Sequence, residues 1–454
     1  MADIATQAWL TYAEDLNFEL MQCLDEGKDI MELEDKIEDI LALPENDPER
    51  EAAAASLLDE SILLPQKADF QYNEPSDLPT IMNSRQETIP VTVRRTEALD
   101  LFDRIYGGWM GRCAGCLLGK PVESWMRNRI VNFNQAAGNY PITAYMHSNH
   151  PQDLRQRFDI KDTSPFSSDK NAWRNLIDCA PADDDTNYTL LNLLAIEQFG
   201  RDFSAEQLAA LWLDRLAILQ TFTAERIAYR NLSHKILPPH SATFRNIYRE
   251  WIGAQIRADL FGYIYPGKVE QAASMAWRDA SISHVKNGIY GEMWAAAMVS
   301  AAFIETDPIK IIGIGLGQIP YASRFHHAVS QILEYYQSGI TCEAVIDLIH
   351  QGWDEANFYH WAHVLPNAQV VAAALLFGEI DFTCTIGIAV SAGFDTDCNA
   401  ATAGSIVGVV LGASRLPDNW ISPLNDRLES SVRGAESSSI SDLARRTVAL
   451  AIQY

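Results

Sequence analysis

The sequence predicts an all-α fold, and three observations support that prediction. From about residue 96 onward, apolar residues recur at helical spacing over stretches of ten residues or more. These stretches are rich in Ala, Leu and Ile and are separated by short turns. Runs that alternate apolar and polar residues, which are typical of half-buried strands, are scarce. The stretches that best fit helices are 204–220, 269–277, 291–304, 322–339 and 367–377.

The composition excludes several classes of protein. The chain has 454 residues, of which 48% are hydrophobic and 21% charged, as in globular proteins with a large core. Its net charge of -25 would repel a phosphate backbone, so nucleic acid is not an expected partner. No apolar stretch reaches the roughly 20 residues needed to cross a bilayer, and the N-terminus lacks the features of a secretory signal. We therefore expect a cytoplasmic protein that binds no membrane.

The sequence divides into two parts. Residues 1–95 are acidic, with two or three short amphipathic helices followed by a proline-punctuated tether, and we interpret them as an extension that packs on the body or on a neighbouring subunit. Residues 96–454 form the helical body. Within it, 126–179 lacks sustained periodicity and is predicted to be a long insertion or lid near a site. The oligomeric state does not follow from the sequence.

The cysteines and tryptophans have mainly structural interpretations. Seven scattered cysteines indicate reduced thiols rather than a disulfide framework. Cys113 and Cys116 form one C-x-x-C without a second pair or a nearby histidine, which favours buried helix cysteines over a metal or redox site. Core packing is favoured over base stacking for the tryptophans in apolar helical contexts. These are Trp109, Trp277, Trp294 and Trp361.

A glycine stripe marks one helix for close packing. Gly107, Gly111, Gly115 and Gly119 recur every fourth residue and therefore lie on one helix face. Glycine costs about 1 kcal/mol per helix position relative to alanine, so such a stripe indicates close backbone contact. Pro121 ends this helix and leaves the neighbouring Glu123 on a turn.

Two clusters of carboxylates open two further helices. The clusters are Asp183, Asp184 and Asp185, and Asp395 and Asp397. The second helix carries its own stripe at Gly404, Gly408 and Gly412. If the striped helices cross closely, Glu123 and both clusters converge, and such hard oxygen ligands suit Mg²⁺ or Mn²⁺. Ordinary N-capping at two helix starts stays open as the alternative, although one Asp suffices for a cap.

Three motifs follow one another along the chain: the striped helix ending in Glu123, Asp-Asp-Thr at 184–186, and Gly-Phe-Asp-Thr-Asp-Cys-Asn at 393–399. Taken together and in this order, they resemble the motifs of the ADP-ribosylglycohydrolase family, which includes dinitrogenase reductase-activating glycohydrolases. The resemblance covers about 99–453 and is to a divergent bacterial-type branch with an N-terminal extension. It implies a compact orthogonal multi-helix domain and a glycosidase-type hydrolase. The implied substrates are ADP-ribosylated proteins or ribosyl small molecules.

The resemblance also implies a centre of two Mg²⁺ or Mn²⁺ ions. The implied metal ligands are Asp183, Asp184, Asp185, Asp395, Asp397 and Cys398. The implied catalytic residues are Glu123, Asp185 and Asp397, and we expect Glu123 or a metal-bound Asp to take the proton from the attacking water. Three positions depart from the family pattern, because Asp183 and Cys398 replace Thr and Cys116 replaces Asp.

Five further residues are expected to bind substrate. They are His284, Asn287, Gly288, Arg257 and Gly393. We expect His284 to contact a phosphate or a ribose hydroxyl, or else to cap a helix. Arg257 is expected to meet the diphosphate, or else to be a solvated surface residue. Two other functions stay open: hydrolysis of another N- or O-glycoside such as a nucleoside, and an inert scaffold of the same fold.

Overall fold

A computed structural model describes residues 8–45, 47–86, 98–162 and 172–452. Within these residues the chain forms 23 α-helices and one two-stranded antiparallel sheet, so the predicted all-α class is confirmed. The helices are α1 Leu16–Asp25, α2 Leu33–Leu41, α3 Pro48–Ser61, α4 Leu78–Asn83, α5 Ala98–Gly119, α6 Arg127–Ala136, α7 Gln152–Arg157, α8 Asp184–Phe199, α9 Ala205–Arg215, α10 Thr223–Ser233, α11 His240–Thr243, α12 Asp259–Tyr263, α13 Val269–Ala280, α14 Lys286–Ala301, α15 Pro308–Leu316, α16 Arg324–Gln337, α17 Cys342–Gly352, α18 Phe358–Ala362, α19 Val364–Gly378, α20 Phe382–Ser391, α21 Thr396–Leu411, α22 Asp418–Ile421 and α23 Ile440–Ile452. The strands are β1 Arg427–Glu429 and β2 Ser437–Ser439. No helix in the described part of the chain is both long and apolar enough to cross a membrane.

The five stretches predicted as helices correspond to α9, α13, α14, α16 and α19. The first of them ends earlier than expected, at Arg215, and a separate 3-10 turn covers Ile218–Gln220. Three helices form the centre of the body, since α14, α19 and α21 are buried on nearly every side. Such all-round burial explains why their sequences lack a polar face.

The two glycine stripes pack against each other, as predicted. A Cβ atom at Gly111 would lie 2.2 Å from the carbonyl oxygen of Gly404, and one at Gly107 would lie 2.3 Å from that of Gly408. Because the partners run in opposite order along the chain, α5 and α21 are antiparallel. At Gly115 the clash would be with the carbonyl oxygen of Ala400, at 2.0 Å. The two backbones are therefore in direct contact, with the C-terminus of α5 beside the N-terminus of α21.

The N-terminal extension packs on the body through α1–α3, where its apolar residues share a buried cluster with body residues such as Tyr248 and Trp251. Arg249 of the body donates to Glu19 at 2.6 Å and to Glu26 at 3.0 Å, both on or next to α1. The end of the predicted tether, 87–97, lies outside the described residues.

The predicted insertion contains α6 and α7. Its aromatic side chains pack together, with the Phe133 ring 5.6 Å from Phe158 and 6.0 Å from Trp173. Part of it, 163–171, lies outside the described residues, so its function as a lid stays a prediction.

We expect Gly111→Ala to lower the free energy of unfolding by about 2 kcal/mol, because the new methyl group meets backbone rather than a movable side chain. Urea denaturation measures this change. The matched control is Gly313→Ala in α15, where nothing lies within 4 Å of the added Cβ. The control should be neutral or stabilising by up to about 1 kcal/mol. Equal stability of both variants would contradict the close packing of α5 and α21.

Candidate active site

One cavity of about 700 Å³, including its open mouth, is lined by residues of both acidic clusters and by five aromatic residues. Its ionisable lining residues are Lys120, Glu123, Asp183, Asp184, Glu225, Asp395 and Asp397. Its aromatic lining residues are Trp9, Phe222, Trp251, Phe358 and Trp361. The other lining residues are Thr223, Ile252, Gly253, Ile256, Ala362 and Cys398. The predicted insertion contributes none of its described residues to this lining.

The packing of α5 against α21 brings Glu123 to the second acidic cluster. A Cβ atom at Gly119 would lie 2.3 Å from the backbone nitrogen of Asp397, and the hydroxyl of Thr396 donates to the Gly119 carbonyl at 3.0 Å. A 3-10 turn, Lys120–Val122, follows α5 and presents the half-buried Glu123 to the cavity. Burial and the charge of Asp397 raise the pKa of Glu123 well above its ordinary value.

A fully buried arginine attaches the first acidic cluster to the same helix. Arg112 of α5 donates to Oδ1 of Asp185 at 2.9 Å and to the Asp185 carbonyl at 2.8 Å. It also pairs with Asp259 at 2.6 Å. Arg112 was not among the predicted site residues, although an arginine within an apolar, glycine-striped helix is a visible signal in the sequence. Because of this arginine, one oxygen of Asp185 is held and the start of α8 is fixed beside α5.

Helix capping explains only part of the acidic clusters. Asp183 is the N-cap of α8 and its carboxylate accepts from the Asp185 backbone at 3.0 Å. The same residue forms an ion pair with Lys120. Asp395 occupies the N-cap position of α21, but its side chain makes no capping hydrogen bond. The capping alternative therefore accounts for Asp183 and not for Asp395.

Three buried carboxylate oxygens in the clusters lack a hydrogen-bond partner: Oδ2 of Asp185, Oδ1 of Asp395 and Oδ1 of Asp397. Burial raises the pKa of Asp395 well above its ordinary value and that of Asp397 to about 6. Unpartnered buried carboxylates are costly unless a proton or a cation binds them. The arrangement therefore fits divalent cations that prefer oxygen ligands.

The possible ligand atoms form two groups, each within 4.8 Å and both including Asp397. One group contains Cys116, Asp183, Asp185 and Asp397, and the other contains Asp395, Asp397 and Cys398. Burial and the nearby carboxylates raise the pKa of both thiols well above the ordinary cysteine value. A protonated thiol is a weak ligand for a hard cation. The carboxylates are thus the better ligands in both groups, and ligation by Cys398 stays a prediction.

The residues expected to bind substrate are absent from the cavity lining. Arg257 is fully buried, so its alternative interpretation as a surface residue is wrong, and it pairs with Glu225 at 2.6 Å and Asp279 at 3.0 Å. His284 is also buried, with Nδ1 2.8 Å from the Ser283 hydroxyl. Arg257 does not itself line the cavity, but it pairs with the carboxylate of Glu225, which does.

The other three predicted substrate residues lie in packed positions. Asn287 donates to Glu74 at 2.9 Å and to Glu250 at 2.6 Å. A Cβ atom at Gly288 would lie 2.9 Å from the Arg249 carbonyl, and one at Gly393 would lie 2.4 Å from Glu355. Substrate binding by these residues stays a prediction.

Comparisons with known proteins identify the family. The ADP-ribosylglycohydrolase family model matches residues 97–453. The chain belongs to the ADP-ribosylglycohydrolase family, and it is therefore a glycosidase-type hydrolase. A solved structure entitled "ADP-ribosylglycohydrolase-related protein complex" is similar, with a TM-score of 0.50, 16% identity, and coverage of 78% of this chain and 98% of that chain. A search of curated proteins found no match.

Three features of this ADP-ribosylglycohydrolase site escaped the sequence analysis. Lys120 is the one cation among the described lining residues, and its place between the striped helix and Glu123 was a usable signal. Glu225 is a further lining carboxyl, and burial raises its pKa to about 7 despite the opposing charge of Arg257. The third feature is the set of five aromatic lining residues, which includes Trp361. This residue packs in a buried cluster, as the sequence predicted, and also lines the cavity.

We expect Asp395→Asn to leave the thermal stability of the metal-free protein unchanged or raise it, because no capping bond is lost and a repulsive charge is removed. We expect the same variant to bind Mn²⁺ about tenfold more weakly or worse. Thermal unfolding in EDTA and in Mn²⁺, together with metal analysis after dialysis, measures both effects. Wild-type Mn²⁺ affinity in the variant would contradict a metal site at this cluster.

Proposed function

We propose that this glycohydrolase cleaves the ribosyl C1″ glycosidic bond of ADP-ribosylated proteins or small molecules with the help of two Mg²⁺ or Mn²⁺ ions. The observation that carries the proposal is the convergence of both acidic clusters in one cavity, with buried carboxylate oxygens that lack partners. Family membership supports the glycosidic bond as the target. Buried carboxylates that converge in this way repel one another, which is unfavourable unless a cation or a proton binds them.

The carboxylates of Asp183, Asp185, Asp395 and Asp397 would hold the ions, because their oxygens belong to the two groups of closely spaced ligand atoms. Asp184 lines the same cavity and would be a further ligand, and Asp183 also caps α8 and pairs with Lys120. When bound, such ions supply positive charge that orients the ribose hydroxyls and a water molecule. The chain itself contributes a fixed frame, because Arg112 holds Asp185 and the α5–α21 contact holds Asp397. A fixed frame limits the reorganisation needed during the reaction.

Two carboxyl groups outside the proposed ligand set are suited to proton transfer. Cleavage passes through an oxocarbenium-like state and needs a base for water and a proton for the leaving group. Glu123 lines the cavity beside Asp397, so its carboxylate is placed to take a proton from a water molecule at the acidic clusters. Glu225 has a pKa of about 7 and so retains a proton for part of the time at neutral pH. We assign the base to Glu123 and the proton donor to Glu225.

A second candidate function is hydrolysis of a ribosyl compound without a diphosphate, such as a nucleoside. Six carboxyl groups and one lysine are the charged groups among the described lining residues. Arg257, the residue expected to meet a diphosphate, is instead engaged by buried carboxylates. This distribution of charge favours an uncharged group in the part of the cavity that surrounds the sugar.

We expect Glu123→Gln to lower kcat for release of ADP-ribose from ADP-ribosylated peptides by about 10²-fold or more, because the amide cannot accept a proton. The measurement is Mg²⁺-dependent release of ADP-ribose by chromatography, with arginine-linked and serine-linked peptides assayed in parallel. Glu429→Gln, which alters an exposed carboxylate on β1, is the matched control and should retain wild-type activity. Full activity in Glu123→Gln would contradict the assignment of the base. Cleavage of nucleosides with no release of ADP-ribose would favour the second function.

A further inference from the structure

The N-terminal extension contributes a residue to the same cavity as the acidic clusters. Trp9 lines this cavity, yet it lies far outside the part of the chain that the family model matches, 97–453. The sequence analysis assigned no chemical function to residues 1–95. The structure therefore adds to the site a side chain that the family domain does not itself provide.

Contacts with the body fix the position of Trp9. Its ring meets Phe222 edge-on with centroids 5.9 Å apart, and the Arg226 guanidinium lies 4.9 Å from its centroid. The same guanidinium donates to the Ala8 carbonyl at 3.0 Å. Trp9 has a φ of 62°, a left-handed backbone conformation that is unfavourable for a tryptophan and persists only where surrounding contacts hold it.

Trp9 is one of five aromatic residues that line the cavity, and a second residue of the extension packs against another of the five. Phe358 stacks on Trp361 with centroids 5.4 Å apart and meets Trp251 edge-on at 5.4 Å. Phe18 of α1 packs against Trp251 at 5.7 Å and is not part of the lining. We call the five lining aromatics the aromatic wall: Trp9, Phe222, Trp251, Phe358 and Trp361.

The chemistry of the wall specifies what it can bind. Aromatic faces bind flat conjugated rings by stacking and offer no charge to a phosphate. The charged groups elsewhere in the lining are carboxyls and Lys120, so an anionic group is repelled from this cavity unless metal ions neutralise it. A ribose held at the acidic clusters would direct the group bonded to its C1″ atom into the remaining space, which the wall borders.

We propose that the aromatic wall, completed by Trp9 of the extension, binds a flat conjugated ring bonded to C1″ of the ribose. This inference rests on the proposed function, because it takes the ribose to lie at the acidic clusters. It selects the nucleoside-like substrates of the second candidate function, since an arginine or a serine linked to C1″ carries no ring there. It makes Trp9 of the extension part of the substrate site and names the class of leaving group that the enzyme prefers.

The test compares adenosine, which carries a flat ring at C1 of its ribose, with ribose itself. Both are titrated calorimetrically into the full-length, Mg²⁺-loaded protein. Trp9→Ala is expected to weaken adenosine binding about tenfold and to leave ribose binding unchanged, and Trp9→Phe is expected to restore most of the loss. Tyr72→Ala is the matched control, since this aromatic residue of the extension packs near His327 and away from the cavity. It should bind both compounds like the wild type.

The outcomes separate this inference from the proposed function. Wild-type adenosine affinity in Trp9→Ala, with both compounds lost in Asp397→Asn, would overturn the inference and leave the proposed function standing. Equal weakening of adenosine and ribose in Trp9→Ala would also overturn it, because the ring would then make no separate contribution. Failure of the wild type to bind adenosine would overturn this inference, and the proposed function would still stand if the same protein released ADP-ribose from ADP-ribosylated peptides.

Discussion

The site depends on one contact, the direct packing of the α5 backbone against the α21 backbone. Glycines let the two helices approach until a Cβ atom added at Gly107, Gly111, Gly115 or Gly119 would overlap the backbone of α21. The end of α5 is then adjacent to the start of α21, so Glu123 and Asp397 share one cavity although 274 residues separate them in sequence. Every other feature of the acidic site is positioned relative to this helix pair.

Electrostatics then determine what the site can hold. Two helix N-termini, those of α8 and α21, meet at the acidic clusters and favour negative charge there. Arg112 and Lys120 neutralise part of that charge. The remaining carboxylates have raised pKa values and oxygens without hydrogen-bond partners, so protons or metal ions neutralise the rest of the negative charge. The fold thus concentrates a charge that favours cation binding.

The sequence predicted those features that local patterns encode. Four-residue glycine spacing predicted close backbone contact for each striped helix, and the Asp clusters at two helix starts led us to expect an acidic site if the two helices crossed closely. The burial of Arg257 was not predictable in this way, because its partners Glu225 and Asp279 are set by tertiary packing rather than by spacing. Trp9 was missed for the same reason, since its contact with Phe222 joins residues more than 200 positions apart.

The extension adds contacts to a domain that it lies outside. Its acidic composition did not indicate which residues attach it, and Glu19 and Glu26 are buried against Arg249 and fix α1 on the body. Some of the acidic residues of the extension are therefore the ones that bind it to the body. Composition alone does not separate a solvated carboxylate from one that pairs with an arginine elsewhere in the chain.

The most direct test of the central claim is a crystal structure of the Mn²⁺-loaded protein with anomalous diffraction measured at the manganese edge. We predict anomalous peaks within coordination distance of the Asp185, Asp395 and Asp397 carboxylates, between the start of α8 and the start of α21. A fully Mn²⁺-exchanged crystal with no peak there, or with manganese bound only elsewhere, would contradict the claim that these helices assemble a metal-dependent active site.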